Sequence, residues 1–211
     1  AFFGCQSLTS ITIPEGVISM GHYTFSYCYS LTSITLPESL TSIGKYALRD
    51  CSSLTSITIP NGITSIADAI FSDCSSLSSI TLHEGVTSIG EGAFAGCTSL
   101  TSFTIPEGIT KIARATFNGC SALTSITIPE GITSIDGYAF WGCSGLTYII
   151  SKPTTPPTCG NNAFWNMDNT IPVYVPCGSV DAYKWAMNWK FFKNFQSKDC
   201  CDWMTLPELQ T

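Results

Sequence analysis

Cysteine is the residue with the greatest chemical potential in this chain: there are 11 in 211 residues. Seven of them, Cys5, Cys28, Cys51, Cys74, Cys97, Cys120 and Cys143, recur every 23 residues without an insertion or deletion. Thiols at a fixed spacing could serve disulfides, metal ions or covalent catalysis. A slot that repeats in phase instead stacks its side chains as a column, where cysteine acts as a small buried apolar group with a weak donor. Stacked coils lie ~5 Å apart, which permits a bridge by distance alone. In-register side chains point the same way, however, and seven is odd, so free thiols are the expectation. No Cys-x-x-Cys occurs, and neither a metal nor a cofactor is expected. Cys159, Cys177, Cys200 and Cys201 lie outside the column and could include a bridge in an exported protein, with no pairing assignable.

Other reactive types are sparse. The only histidines are His22 and His83, and no Ser/His/Asp or Cys/His set stands apart from the repeat. Gly90-Glu91-Gly92-Ala93-Phe94-Ala95 matches a dinucleotide fingerprint in form, but it lies within a repeat and not in a strand–helix–strand unit. Glu15, Glu38, Glu84, Glu107 and Glu130 form an acidic column. A Ca²⁺ ion needs about six to eight converging oxygens, and one outward carboxylate per coil does not converge. An enzyme with its site near Asp168, Tyr174, Asp181 and Lys184 would need a constellation that these residues do not form in sequence. The expectation is a protein that is not an enzyme.

The elements behind this spacing can be counted from each cysteine. Leucine follows by three residues and Ile or Phe by six, as in Leu100 and Phe103 or Leu123 and Ile126. Alternation with Ser and Thr then gives the period of a strand with one buried face. Pro14, Pro37, Pro60, Pro106 and Pro129 close that strand, since proline cannot donate to a ladder. A second apolar pair, such as Ile109 and Ile112, and an anchor such as Phe117 complete the coil. No such unit buries its face alone, so neighbouring coils supply the wall.

The pattern Leu-x-x-Ile-x-Ile-Pro followed by Ile-x-x-Ile-Gly-x-x-Ala-Phe-x-x-Cys resembles the BspA-type (Treponema pallidum-type) leucine-rich repeat of bacterial cell-surface proteins. The resemblance covers residues 1–150, with local departures at His83, Asn61, Ser39 and Leu48. It implies a right-handed repeat solenoid, mostly β with short irregular or 3-10 segments. It also implies a cell-surface or secreted protein with an adhesin-like role, its binding face on the concave, strand-lined side.

The 23-residue spacing lapses at the Pro-rich stretch 151–158, so residues 1–150 are expected to form the solenoid and 151–211 a C-terminal α/β cap. In that cap Val173 to Lys184 reads as strand, turn and helix, with Ser179 as N-cap. Trp185, Trp189, Phe191, Phe192 and Phe195 are expected to cover the last coil.

The formal charge is −6, all of it carried by residues 1–150, where four Lys/Arg face ten Asp/Glu. An acidic surface without a basic stripe argues against nucleic acid and anionic membranes as partners. No apolar run is long enough to span a bilayer. The chain opens on the end of a repeat, so a processed or truncated form is the expectation and a signal peptide is not sought in this stretch.

Two surfaces are candidates for binding. Ser33, Thr35, Ser56, Thr58, Ser79, Thr81, Ser102 and Thr104 are the outward residues of the first strand, a hydroxyl-covered groove or simply a solvated sheet. Aromatic residues gather towards the ends, with Tyr23, Tyr27, Tyr29 and Tyr46 near one and Tyr138, Trp141 and Tyr148 near the other. The expected partners are extracellular-matrix or cell-surface proteins, with a glycan recognised through the aromatic clusters as the alternative.

Overall fold

The computed structural model describes residues 1–198. Cys200 and Cys201 lie outside them. Each repeat closes one turn of a parallel β-solenoid, because its apolar positions can be buried only by the turns on either side. Leu54, Ile57, Ile63, Ile66, Phe71 and Cys74 are buried, and the equivalent residues of neighbouring coils complete one continuous core. Anchor phenylalanines stack along its length: Phe94 lies 5.6 Å from both Phe71 and Phe117, and Phe140 lies 5.3 Å from Phe117.

Two β-ladders run along the solenoid. The first joins Ser10–Thr12 to Ser33–Thr35, then Ser56–Thr58 to Ser79–Thr81, then Ser125–Ile128 to Tyr148–Ser151. The second is built of two-residue strands such as Ser19–Met20 and Ser42–Ile43, paired in the same register. Both are interrupted, among the described residues, between the coils of Cys28 and Cys51 and between those of Cys74 and Cys97.

The predicted strand over Ser102 and Thr104 is absent. Phe103 takes the slot that isoleucine fills elsewhere, and its ring wedges 4.9 Å from Phe94 and 4.8 Å from Phe117. Seating that ring in the core takes the place of a regular strand.

A third column has no interruption, and it is not a sheet. In every coil the N–H groups five, three and one residues before the cysteine donate to carbonyls of the next coil. Tyr23 donates to Lys45 (3.1 Å), Phe25 to Ala47 (2.7 Å) and Tyr27 to Arg49 (2.8 Å), and the same triplet recurs as far as Gly142 to Trp165 (2.9 Å). The intervening N–H groups close tight turns, Ser26 to Tyr23 and Cys28 to Phe25. Alternating donors between these two uses requires left-handed backbone at the first and last donor of each triplet. Tyr23, Tyr46, Ala69, Ala115 and Tyr138 have φ between 49° and 62°, and Gly96, Gly119 and Gly142 between 73° and 75°. The non-glycine residues carry about 1–2 kcal/mol of strain each, offset by the bonds the conformation permits.

Coil geometry persists past residue 151. Pro172–Pro176 and Asn194–Lys198 add two further strands to the ladder that begins at Ser125–Ile128. The one helix among the described residues, Val180–Trp185, packs alongside. Ser179 precedes it but does not cap it through its side chain; its hydroxyl donates to the Thr154 carbonyl at 2.8 Å instead. The Pro-rich stretch is held by aromatic residues of the cap. The Tyr183 hydroxyl donates to the Pro153 carbonyl (2.8 Å) and accepts from the Ser151 hydroxyl (2.8 Å), while Trp189 Nε1 donates to the Pro157 carbonyl (2.9 Å). Trp189 and Phe192 are buried and Phe195 packs against the core, but Trp185 and Phe191 are 85% and 54% exposed, so the aromatic cover is only partial.

Candidate functional site

From Cys28 to Cys143 the cysteine column is a set of buried thiols with a defined structural task; Cys5, in the first described turn, is exposed. Each Sγ donates to the carbonyl of the anchor residue in the coil before: Cys51 to Phe25 (3.2 Å), Cys74 to Leu48 (3.1 Å), Cys97 to Phe71 (3.2 Å), Cys120 to Phe94 (3.2 Å) and Cys143 to Phe117 (3.1 Å). That carbonyl also accepts the turn N–H of its own coil's cysteine, so the thiol supplies its second partner. Burial pushes the Cys51 and Cys143 thiols up to about 12 and those of Cys74, Cys97 and Cys120 well above the ordinary value. A thiol that stays protonated is neither nucleophile nor metal ligand. Among the described residues no group of three His, Cys, Asp or Glu side chains is placed to hold a metal ion.

Hydroxyl groups divide into two classes that the repeat makes look alike. Thr32, Ser78, Thr124 and Thr147, four residues after their cysteines, donate to carbonyls of the preceding coil. Thr41, Thr87 and Thr133 do the same beside the second ladder. These hydroxyls belong to the scaffold. Ser33, Thr35, Ser56, Thr58, Ser79, Thr81, Ser102 and Thr104 are all exposed, and none has a side-chain hydrogen bond among the described residues. Register places Ser56 beside Ser79 and Thr58 beside Thr81, so the free hydroxyls form two parallel rows on one face. The rows change character at Ser125, which is buried and sits in register with Tyr148; the Tyr148 ring meets Tyr174 edge-on at 6.2 Å.

The aromatic candidates do not form the two clusters that their positions in the chain suggest. Tyr23 and Tyr46 stack in parallel at 4.8 Å, both at left-handed positions of the turn column. Tyr27 and Tyr29 form a separate edge-on chain with Phe3, and Arg49 lies over the Tyr27 ring. Tyr138 sits on the turn column with Arg114 5.5 Å from its ring. Tyr148 lies on the first ladder and so faces elsewhere, and Trp141 is partly exposed. The variable slot six residues before each cysteine has a backbone role in two coils: His22 Nδ1 accepts the Lys45 N–H (2.9 Å) and Asp68 Oδ1 the Glu91 N–H (3.0 Å). The hydrogen bond from Lys45 holds the Asp68 carboxyl below its usual range. Asn161, Asn162, Asn166 and Asn169 line one cleft with Trp165, and the density of amides around Trp165 is the only mark of it in the sequence.

A family model described as BspA type leucine rich repeat region, in six copies, matches residues 1–123 and 110–188. The chain is similar to a leucine rich cell surface protein from Faecalibacterium prausnitzii, with 28% identity, coverage of 93% of this chain and 62% of that one, and a TM-score of 0.54. It is similar to a leucine rich repeat protein of T. pallidum at 33% identity, covering 69% and 68% of the two chains, with a TM-score of 0.60. A leucine-rich repeat protein from Bacteroides ovatus shares 26% identity over 94% of this chain and 63% of its own, with a TM-score of 0.67. The chain thus spans between 62% and 68% of the length of these relatives. Among curated proteins, none matches it.

Proposed function

Because this chain belongs to the BspA-type leucine-rich repeat family, we propose that it is a non-enzymatic interaction scaffold, exported to the cell surface or secreted, that binds host or neighbouring-cell proteins in an adhesin-like manner. Export is supported by the description of the F. prausnitzii relative as a cell surface protein. No helix among the described residues is long and apolar enough to cross a membrane.

The observation that carries the reading is the segregation of hydroxyls. A repeat that uses some of its Thr side chains to bond neighbouring coils leaves the Ser33-to-Thr104 rows uncommitted, exposed and uncharged on one strand-bearing face. Such a face offers an extended partner both donors and acceptors without a desolvated charge. Tyr148, at one end of the rows, supplies the large amphipathic contact favoured in interfaces.

The test is surface plasmon resonance against immobilised extracellular-matrix proteins, with Thr58→Lys and Thr81→Lys as variants. The expected result is saturable binding that these two substitutions weaken at least about tenfold. Binding that survives both, or is lost equally on Tyr23→Ala, would place the contact elsewhere.

A further inference from the structure

We infer that the junction between the last coils and the cap holds a separate binding site for a neutral oligosaccharide. A cleft of about 630 Å³ opens there, a size suited to a few sugar rings. It is lined by Asn161, Asn162, Asn166 and Asn169 together with Trp165 and Phe191. No Lys, Arg, Asp, Glu or His side chain lines it among the described residues.

Each feature selects the same ligand chemistry. A side-chain amide offers donors and an acceptor a short distance apart, which matches vicinal sugar hydroxyls that both give and take hydrogen bonds. The four amides make no side-chain hydrogen bond among the described residues, so their capacity is free. Asn188 provides the contrast: its Nδ2 donates to the carbonyls of Cys159 (2.8 Å) and Gly160 (3.0 Å), which fastens the cap to the solenoid. Trp165 is 60% exposed and Phe191 54%, so both rings present open faces beside the amides. Flat apolar rings beside free amides fit a pyranose, whose C–H face stacks while its rim bonds. Arg114 already lies over Tyr138, which leaves Trp165 and Phe191 as the platforms. Without a cation in the walls, an anionic sugar has no counter-charge, and without a carboxylate a basic peptide has none either.

Asn162 and Asn166 also hold left-handed backbone, with φ of 58° and 61°, where asparagine is tolerated better than most residues. Glycine serves that backbone role at least as well. The substitutions Asn162→Gly and Asn166→Gly therefore keep the turn and remove only the amides.

The experiment is isothermal titration calorimetry of the full chain with a panel of neutral oligosaccharides: cellohexaose, mannohexaose, xylohexaose and lacto-N-tetraose. Heparin hexasaccharide and a proline-rich peptide complete the panel. The expected result is saturable 1:1 binding of at least one neutral sugar. That binding should weaken at least about tenfold on Trp165→Ala and on the paired Asn→Gly substitutions, with Thr58→Lys leaving it unchanged. Binding of none of the four neutral sugars, tighter binding of heparin or the peptide, or full affinity in the paired glycine variant would each overturn the inference. Circular dichroism of the glycine variant confirms that it folds. Because Thr58→Lys reports on the hydroxyl rows alone, failure of this site and failure of the protein-binding reading are distinguishable.

Discussion

Removing one thiol from the column, by Cys143→Ala, should give a loss of stability that shrinks as the solution becomes alkaline. At neutral pH the variant loses a fully buried sulfur and its bond to the Phe117 carbonyl. Partial collapse of the space left behind makes this loss about 1–2 kcal/mol. Folding raises the Cys143 thiol from its ordinary 9.0 to about 12, chiefly by burial. Between those values the folded chain keeps a proton that the unfolded chain has released. The thiol's contribution is therefore complete below pH 9 and falls as pH rises towards 12. At pH 10, one unit above the unfolded value, the parent chain has lost about 1.4 kcal/mol at this position and the alanine variant nothing. The gap between the two should close from about 1–2 kcal/mol to near zero. Urea titrations in reductant at pH 7 and pH 10 measure it directly, and comparing the variant with its parent cancels the titration of lysines and tyrosines common to both. A gap of the same size at both pH values would refute the assignment of Cys143 as a neutral buried donor.

Three further outcomes follow from the geometry. Gly96→Ala should destabilise by about 2 kcal/mol, since in left-handed backbone its Cβ would displace the Asp73 side chain (Oδ1 at 2.5 Å) and press on Asp73 Cα (3.3 Å), whereas Gly92→Ala, whose Cβ would make only an ordinary 3.8 Å contact with Ala95 Cβ, should lose only about 1 kcal/mol of backbone strain, both read by thermal melts. Tyr183→Phe removes the hydroxyl shared by Pro153 and Ser151 and should lower stability by about 1–3 kcal/mol in chemical denaturation, because two buried groups lose a partner. Hydrogen exchange should find the amides of residues 102–104 less protected than those of Ser125–Ile128; equal protection would mean that Phe103 does not interrupt the ladder.

Much of the fold was legible because a period reports burial. The interval between Cys97 and Cys120 fixes which residues face inward, and those residues, from Leu100 to Phe117, are the ones the structure buries. The period could not report which polar groups are already bonded. Thr32 and Thr35 are the same residue type three positions apart, yet one bonds the preceding coil and the other is free, a distinction set by register between chains of atoms 23 residues apart. Backbone handedness was equally hidden. Tyr23 and Tyr46, candidates for recognition in sequence, occupy the left-handed slots that Ala69, Gly92 and Ala115 fill elsewhere. In the cap, Trp185 and Trp189 share a type and a neighbourhood, yet only Trp189 finds the Pro157 carbonyl and the rings of Phe164 and Tyr183 and is drawn inside.

The unbroken turn column has a mechanical meaning. A rod fastened along one edge at every joint, and carrying strand ladders along its other edges only within groups of coils, is not equally stiff in all directions. Its compliance is concentrated at the two joints where both ladders lapse, between the coils of Cys28 and Cys51 and between those of Cys74 and Cys97. There the turn column serves as the inextensible line about which bending occurs. Bending about that line would fan the strand-bearing face open or shut, changing the spacing of the hydroxyl rows while the spine keeps its length.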